Sequence, residues 1–194
     1  MKTTLNKIRS HNPCEGSWRK LLQSLGKTEA DDTEVSVRYI LDLLGIDDAI
    51  WVLRAVDGHD REVRLFACDC AESVLHLYED KYPDDNRPRN AIEVARRHAN
   101  VEATTIELEE ARVDAWDAAA RAVWAASAAA AIAAAGTAMG AARAAWAAAG
   151  TAAWDAAWAA AGTASAAART ASAARDAARD SEREKQRDFL LKYI

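Results

Sequence analysis

Little in this sequence would interrupt a helix or build a sheet. There are three prolines and eight glycines in 194 residues, and no stretch alternates apolar and polar residues with a period of two, so no sheet is expected. Long runs of bulky apolar residues are missing as well. The longest uncharged window, between Arg121 and Arg143, is alanine, serine, glycine and threonine apart from Trp124, with only Val123, Ile132 and Met139 as strong aliphatic residues. Alanine gives little insertion free energy, so no membrane span is expected. Glycine-rich phosphate loops, a Ser-His-Asp elbow and a metal box are all absent from the pattern, which leaves no catalytic signature of those kinds. Basic excess is missing too: 25 Lys and Arg stand against 30 Asp and Glu, a formal charge of −5. That balance argues against nucleic acid as the main partner. The three cysteines, Cys14, Cys68 and Cys70, are an odd number, and the start Met1-Lys-Thr-Thr-Leu-Asn-Lys-Ile-Arg9 carries no apolar leader segment. A reduced, cytoplasmic protein with free thiols is the expectation.

The first hundred residues read as a bundle of short helices. Trp18, Leu21, Leu22 and Leu25 recur at helical spacing over 17–25, with Gly26 as a stop; Val37, Ile40, Leu41 and Leu44 do so over 35–44, with Gly45 as a stop. The next helix spans 48–56, with Ile50, Trp51, Leu53 and Val56 inward. A longer one runs from Asp60 to about Tyr78, with Val63, Phe66, Ala67, Cys70, Val74 and Leu77 on one face. Pro83 and Pro88 bracket a loop, and Ala91–His98 makes a further short helix.

From residue 101 the character changes. Thr104 with Glu107 three residues on forms a capping box ahead of a strong helix former. More than half of residues 115–178 are alanine, the best helix former, and no proline interrupts them. The hexapeptide Ala-Ala-Ala-Gly-Thr-Ala recurs at 133–138, 147–152 and 159–164, and Trp154-Asp-Ala-Ala-Trp158 echoes Trp116-Asp-Ala-Ala-Ala120, so the array is a degenerate repeat. A single helix through it would be on the order of 100 Å long. Such a rod either breaks at the Gly-Thr points or pairs with copies of the same chain, and two long helices packed as a hairpin or bundle, with a further interface between subunits, is the expected solution. The expected fold is therefore all-α: a small bundle over 1–100, an alanine-rich array over 101–180, and a charged then apolar tail over 181–194, the whole a homo-oligomer. Ser181–Lys185 reads as a solvated stretch, and Phe189, Leu190, Leu191, Tyr193 and Ile194 as an apolar terminus that docks back on a neighbour.

Candidate chemistry is sparse. Residues two apart on a helix diverge by about 200°, so Cys68 and Cys70 do not make a metal site; Cys70 reads as core and the other thiols as incidental. His59-Asp60 invites comparison with metal-dependent phosphohydrolases, but it reads equally as a loop-to-helix entry after Gly58. The paired carboxylates Asp31-Asp32, Asp47-Asp48 and Glu109-Glu110 are adjacent residues that do not face each other. Neither a catalytic residue, nor a metal ligand, nor a cofactor is assigned. Tryptophans in the array (Trp116, Trp124, Trp146, Trp154, Trp158) either fill gaps between close-packed helices or offer rings to a partner. Its arginines either pair along their own helix, as Arg121 would with Asp117, or hold an anion. The residues singled out for ligand or partner binding are Arg143, Trp146, Thr151, Trp154, Trp158 and Arg169.

The segments Leu44-Gly-Ile-Asp-Asp-Ala-Ile-Trp-Val-Leu-Arg-Ala-Val56, His59-Asp-Arg-Glu-Val-Arg-Leu-Phe-Ala67 and Ala91-Ile-Glu-Val-Ala-Arg-Arg-His-Ala99 resemble a family of phage and bacterial immunity proteins. The C-termini of that family also run into Ala-, Trp-, Asp- and Arg-rich repeats. The resemblance spans about residues 15–180 and brings no catalytic residues with it. It implies an accessory gene product of phages or mobile elements that acts by binding. The leading expectation is a non-catalytic immunity or anti-defence protein whose partner is a host or toxin protein. The alternative is a sponge for a small nucleotide signal, with Trp146, Trp154 and Trp158 stacking on bases and Arg143 and Arg169 holding phosphates. A metal-dependent hydrolase built on His59 and Asp60 is the third.

Overall fold

A computed structural model of the chain describes the backbone of residues 1–125 and 172–194, and side chains over 1–119 and 178–194. These residues fall into two compact units: unit 1, Met1–His59 with Leu190–Ile194, and unit 2, which lies within Asp60–Phe189.

Unit 1 runs β1 (Lys2–Thr4), α1 (Leu5–Ser10), α2 (Glu15–Ser24), β2 (Glu34–Ser36), α3 (Val37–Leu44) and α4 (Ile46–Val52), which tightens into a 3-10 turn over Leu53–Ala55. Local chemistry sets these limits. At the end of α2, Gly26 takes the left-handed conformation (φ 67°), and the Gly26 and Lys27 amides donate to the carbonyls of Gln23 and Leu22. That pair of bonds is a Schellman stop, and it satisfies carbonyls the helix leaves open. The Ser36 hydroxyl accepts from the Tyr39 amide at 3.0 Å and caps α3, where Asp31 and Asp32 precede the expected helix. Asp31 is occupied elsewhere, by Lys27 and the Thr33 amide. The expected inward set on α4 is shifted. Ala49, Ile50, Val52, Leu53 and Ala55 are buried while Trp51 is only half-buried, because at about 100° per residue Ala49, Ile50 and Val52 share one helix face and Trp51 falls on the other.

The absence of a sheet is overturned in unit 1. β1 and β2 pair antiparallel, with Thr3 opposite Val35. Three-residue strands are too short to display alternation, so the pattern that marks a strand could not register here. Thr3 is buried and its hydroxyl donates to the Ala55 carbonyl. Leu5, Ile8, Trp18, Leu21, Val37, Ile40 and Leu41 form the apolar interior, together with Leu190 from the C-terminal segment.

In unit 2, α5 (Asp60–Glu79), α6 (Arg87–Ala99) and α7 (Thr105–Ala125) follow in order, with α6 packed on both α5 and α7. The last helix, α8 (Ser172–Leu191), also packs on α5, where the Ser73 hydroxyl donates to Glu182 Oε1 at 2.8 Å. The fold is predominantly all-α. α6 starts before Ala91 because Pro88 lies in its first turn, where a missing amide costs nothing. α5 is covered on two sides, which explains why Cys68 is buried as well as Cys70, against the expectation that only Cys70 is core. The Cys68 thiol points at the Ile92 carbonyl of α6, 3.8 Å away. Ser181–Lys185 is helical, with Ser181, Glu184 and Lys185 exposed as expected of a solvated stretch, but Glu182 is buried, as is Gln186 beyond it. The Gly-Thr break points, the repeat hexapeptides and the hairpin expected of them lie outside the described residues.

Candidate binding face

The residues expected to bind a ligand or partner, Arg143, Trp146, Thr151, Trp154, Trp158 and Arg169, all lie outside the described residues, so the structure neither brings them together nor separates them. Among the described residues, no group of three or more His, Cys, Asp and Glu side chains could hold a metal ion. Among those residues, too, no helix is long and apolar enough to cross a membrane. Burial pushes the Cys68 thiol up to about 12, and Cys70 upward as well. Both sulfurs are therefore protonated packing groups rather than nucleophiles. A cleft in unit 1 lined by Trp18, Trp51, Leu44 and Asp48 has a cavity volume of about 20 Å³. That is room for a water molecule and far too little for a nucleobase.

The arginines of α6 hold unit 2 together. Arg96 pairs with Asp69 at 2.8 Å and Glu72 at 2.5 Å on α5, and Arg89 forks onto Glu79 with two 2.6 Å bonds. Arg87 grips Asp85, whose carboxyl also accepts from Tyr78 at 2.8 Å; the guanidinium first, and that hydroxyl after it, hold Asp85 down to about 2. Towards α7, Arg97 donates to Glu107 at 3.1 Å. Glu107 also closes the expected capping box: its carboxylate accepts from the Thr104 amide at 2.7 Å, and the Glu107 amide donates to the Thr104 hydroxyl at 3.2 Å. These bonds fix where α7 begins and which way it turns.

That rotation sorts the side chains of α7 into two faces. Leu108, Ala111, Ala115, Ala118 and Ala119 are buried. On the opposite side Ile106 is 72% exposed and Val113 48%, while Trp116 on the flank is 47% exposed. Seven residues make nearly two turns, so Ile106 and Val113 are about 20° apart around the axis and about 10 Å apart along it. Glu109, Glu110, Asp114 and Asp117 flank them, all exposed, with Arg112 paired to Glu109 along the helix. Arg112 thus follows the intrahelical reading of the arginines.

Val101, just upstream of α7, adds a fourth exposed apolar side chain in an unusual place. α6 ends in a second Schellman stop: the Val101 amide donates to the His98 carbonyl, and the Glu102 amide to the Arg97 carbonyl. The left-handed position of such a stop suits glycine, yet valine occupies it with φ 63° and is 92% exposed. A β-branched residue there is strained and gains nothing from burial. Val101→Gly is expected to raise the stability of unit 2 by about 1 kcal/mol, the left-handed penalty less the added chain entropy of glycine. Thermal melting of the full chain checks this, and a lower melting temperature would contradict it.

The described residues therefore define a predominantly helical protein carrying an exposed apolar ridge on one helix. The family model of Imm-5 like putative immunity proteins matches residues 57–192, and the chain belongs to that family. The match begins at the boundary between the units, so unit 2 is the family's part of the chain and most of unit 1 lies outside it. No curated protein and no solved structure matches the chain.

Proposed function

We propose that this chain is a non-catalytic immunity protein that neutralises a partner protein by binding it. The family supplies the immunity role in outline. The observation that carries the mechanism is the exposed apolar set Val101, Ile106 and Val113 at and beside the start of α7. Single exposed apolar residues need no explanation, but an exposed ridge on a helix whose other face is already buried offers a surface for association. Its anchors are rigid: α7 is capped at its start by Thr104 and Glu107 and tied to α6 by Arg97.

Native mass spectrometry of the chain purified from its expression host, followed by heat release, tests this reading. The expected result is a species that releases no nucleotide-sized molecule and binds one host or toxin protein in fixed stoichiometry, with that protein's activity suppressed. Release of an intact nucleotide, a few hundred daltons per site, would replace it with the sponge. Consumption of a nucleotide, stopped by His59→Ala, would replace it with the hydrolase.

A further inference from the structure

We infer that the occupant of the α7 ridge is a basic amphipathic helix of the partner protein, one whose apolar stripe is flanked by lysine or arginine. This rests on the binding reading above and names the chemistry of the partner at that face. Three observations lead to it.

The ridge has the shape of a helix-packing seam. Ile106 and Val113 lie nearly in line along α7, two turns apart, and both are exposed. A second helix laid along that line places its own apolar residues beside them, the usual mode of helix-in-groove recognition.

Between Ile106 and Asp117 the charge flanking the seam is predominantly acidic. Glu110, Asp114 and Asp117 lie on one side of the line and Glu109 on the other, and Arg112 is engaged with Glu109. Carboxylates beside an apolar stripe attract a basic helix and repel an acidic one, so they select the partner as well as speed the encounter.

The same sign opposes the other occupants. Nucleic acid, a nucleotide or an anionic membrane surface would bring negative charge against these carboxylates. A second copy of the chain would bring the same acidic rim against itself.

The test uses the full-length chain and two synthetic helical peptides. Both carry leucine at a seven-residue spacing; one has lysine at the flanking positions and the other glutamate. Fluorescence anisotropy of the labelled peptides is read at about 20 mM and about 300 mM salt, where screening shortens from tens of ångströms to several. The lysine peptide is expected to bind, losing about tenfold or more in affinity at the higher salt, and the glutamate peptide is not. The triple change Glu110→Gln, Asp114→Asn and Asp117→Asn, at exposed positions that leave the fold intact, is expected to weaken the lysine peptide by about tenfold.

Equal binding of the two peptides, binding of neither, or binding indifferent to the triple change would overturn the inference. So would sedimentation showing a dimer of the chain that the triple change strengthens or dissolves, because the face would then belong to a second copy. If the chain still holds and silences one protein in the mass-spectrometric test while the lysine peptide fails, the binding function stands and only the assignment to α7 falls. If no protein partner is held and a nucleotide is released instead, the function itself falls.

Discussion

A chain carrying Ile106→Arg and Val113→Arg is expected to keep its fold and lose its partner. Both side chains are largely exposed on α7, at 72% and 48%. Substitutions at such positions change stability by about 0.5 kcal/mol or less each, and arginine is a good helix former. Binding responds differently. At an interface a few apolar anchors each contribute about 2 kcal/mol or more, and replacing two of them with charges also desolvates the new guanidinium groups against the partner. Affinity for the neutralised protein should fall by about a hundredfold or more, with far-ultraviolet circular dichroism and melting temperature unchanged. Retention of affinity to within about threefold would mean that the partner binds elsewhere, and attention would move to Arg143, Trp146, Thr151, Trp154, Trp158 and Arg169.

Phe66→Ala is expected to have the largest effect on folding. Phe66 is fully buried on α5, and it is one of two phenylalanines in the sequence. Much of the remaining interior of unit 2 is alanine: Ala67 and Ala71 on α5, Ala91, Ala95 and Ala99 on α6, Ala111, Ala115, Ala118 and Ala119 on α7. An alanine interior allows helices to approach closely but buries little apolar area per residue, so the few large side chains carry a disproportionate share of the hydrophobic stabilisation. Truncating a buried phenylalanine costs about 3–5 kcal/mol, a large part of the 5–15 kcal/mol that typically holds a domain together. Denaturant unfolding should register this as a fall in midpoint. A loss below about 1 kcal/mol would show that the alanine faces, not the aromatic side chains, dominate the core.

Membership of the immunity family was legible in His59–Ala67 and Ala91–Ala99, within the matched residues, whereas Leu44–Val56 lies outside the match. The candidate face was only partly legible. Thr104 and Glu107 announced the start of α7, and their reciprocal bonds are present. The tryptophan and arginine pattern, however, drew attention towards residues 143–169. Ile106 and Val113 carried no distinguishing mark, since an isolated apolar residue between charged ones is as common on a buried face as on an exposed one. Val101 was hidden altogether, because nothing about valine signals a left-handed helix stop.

The sequence by itself determined the helices and most of their ends. Gly26 and Gly45 stop α2 and α3, Thr104 starts α7, and the spacing of Ile40 and Leu41 marks the inward face. These signals act over three or four residues, through caps and i→i+4 bonds, so they can be read along the chain without knowing the rest of the molecule. Tertiary structure alone decided the pairing of Thr3 with Val35, the burial of Cys68 on a second face of α5, and the burial of Glu182 beside Ser73. It also decided that the free face of α7 is the one bearing Ile106 and Val113. Each of these depends on which distant element lies against which side of a helix or strand, and a periodic pattern records how many faces are apolar without recording what will cover them.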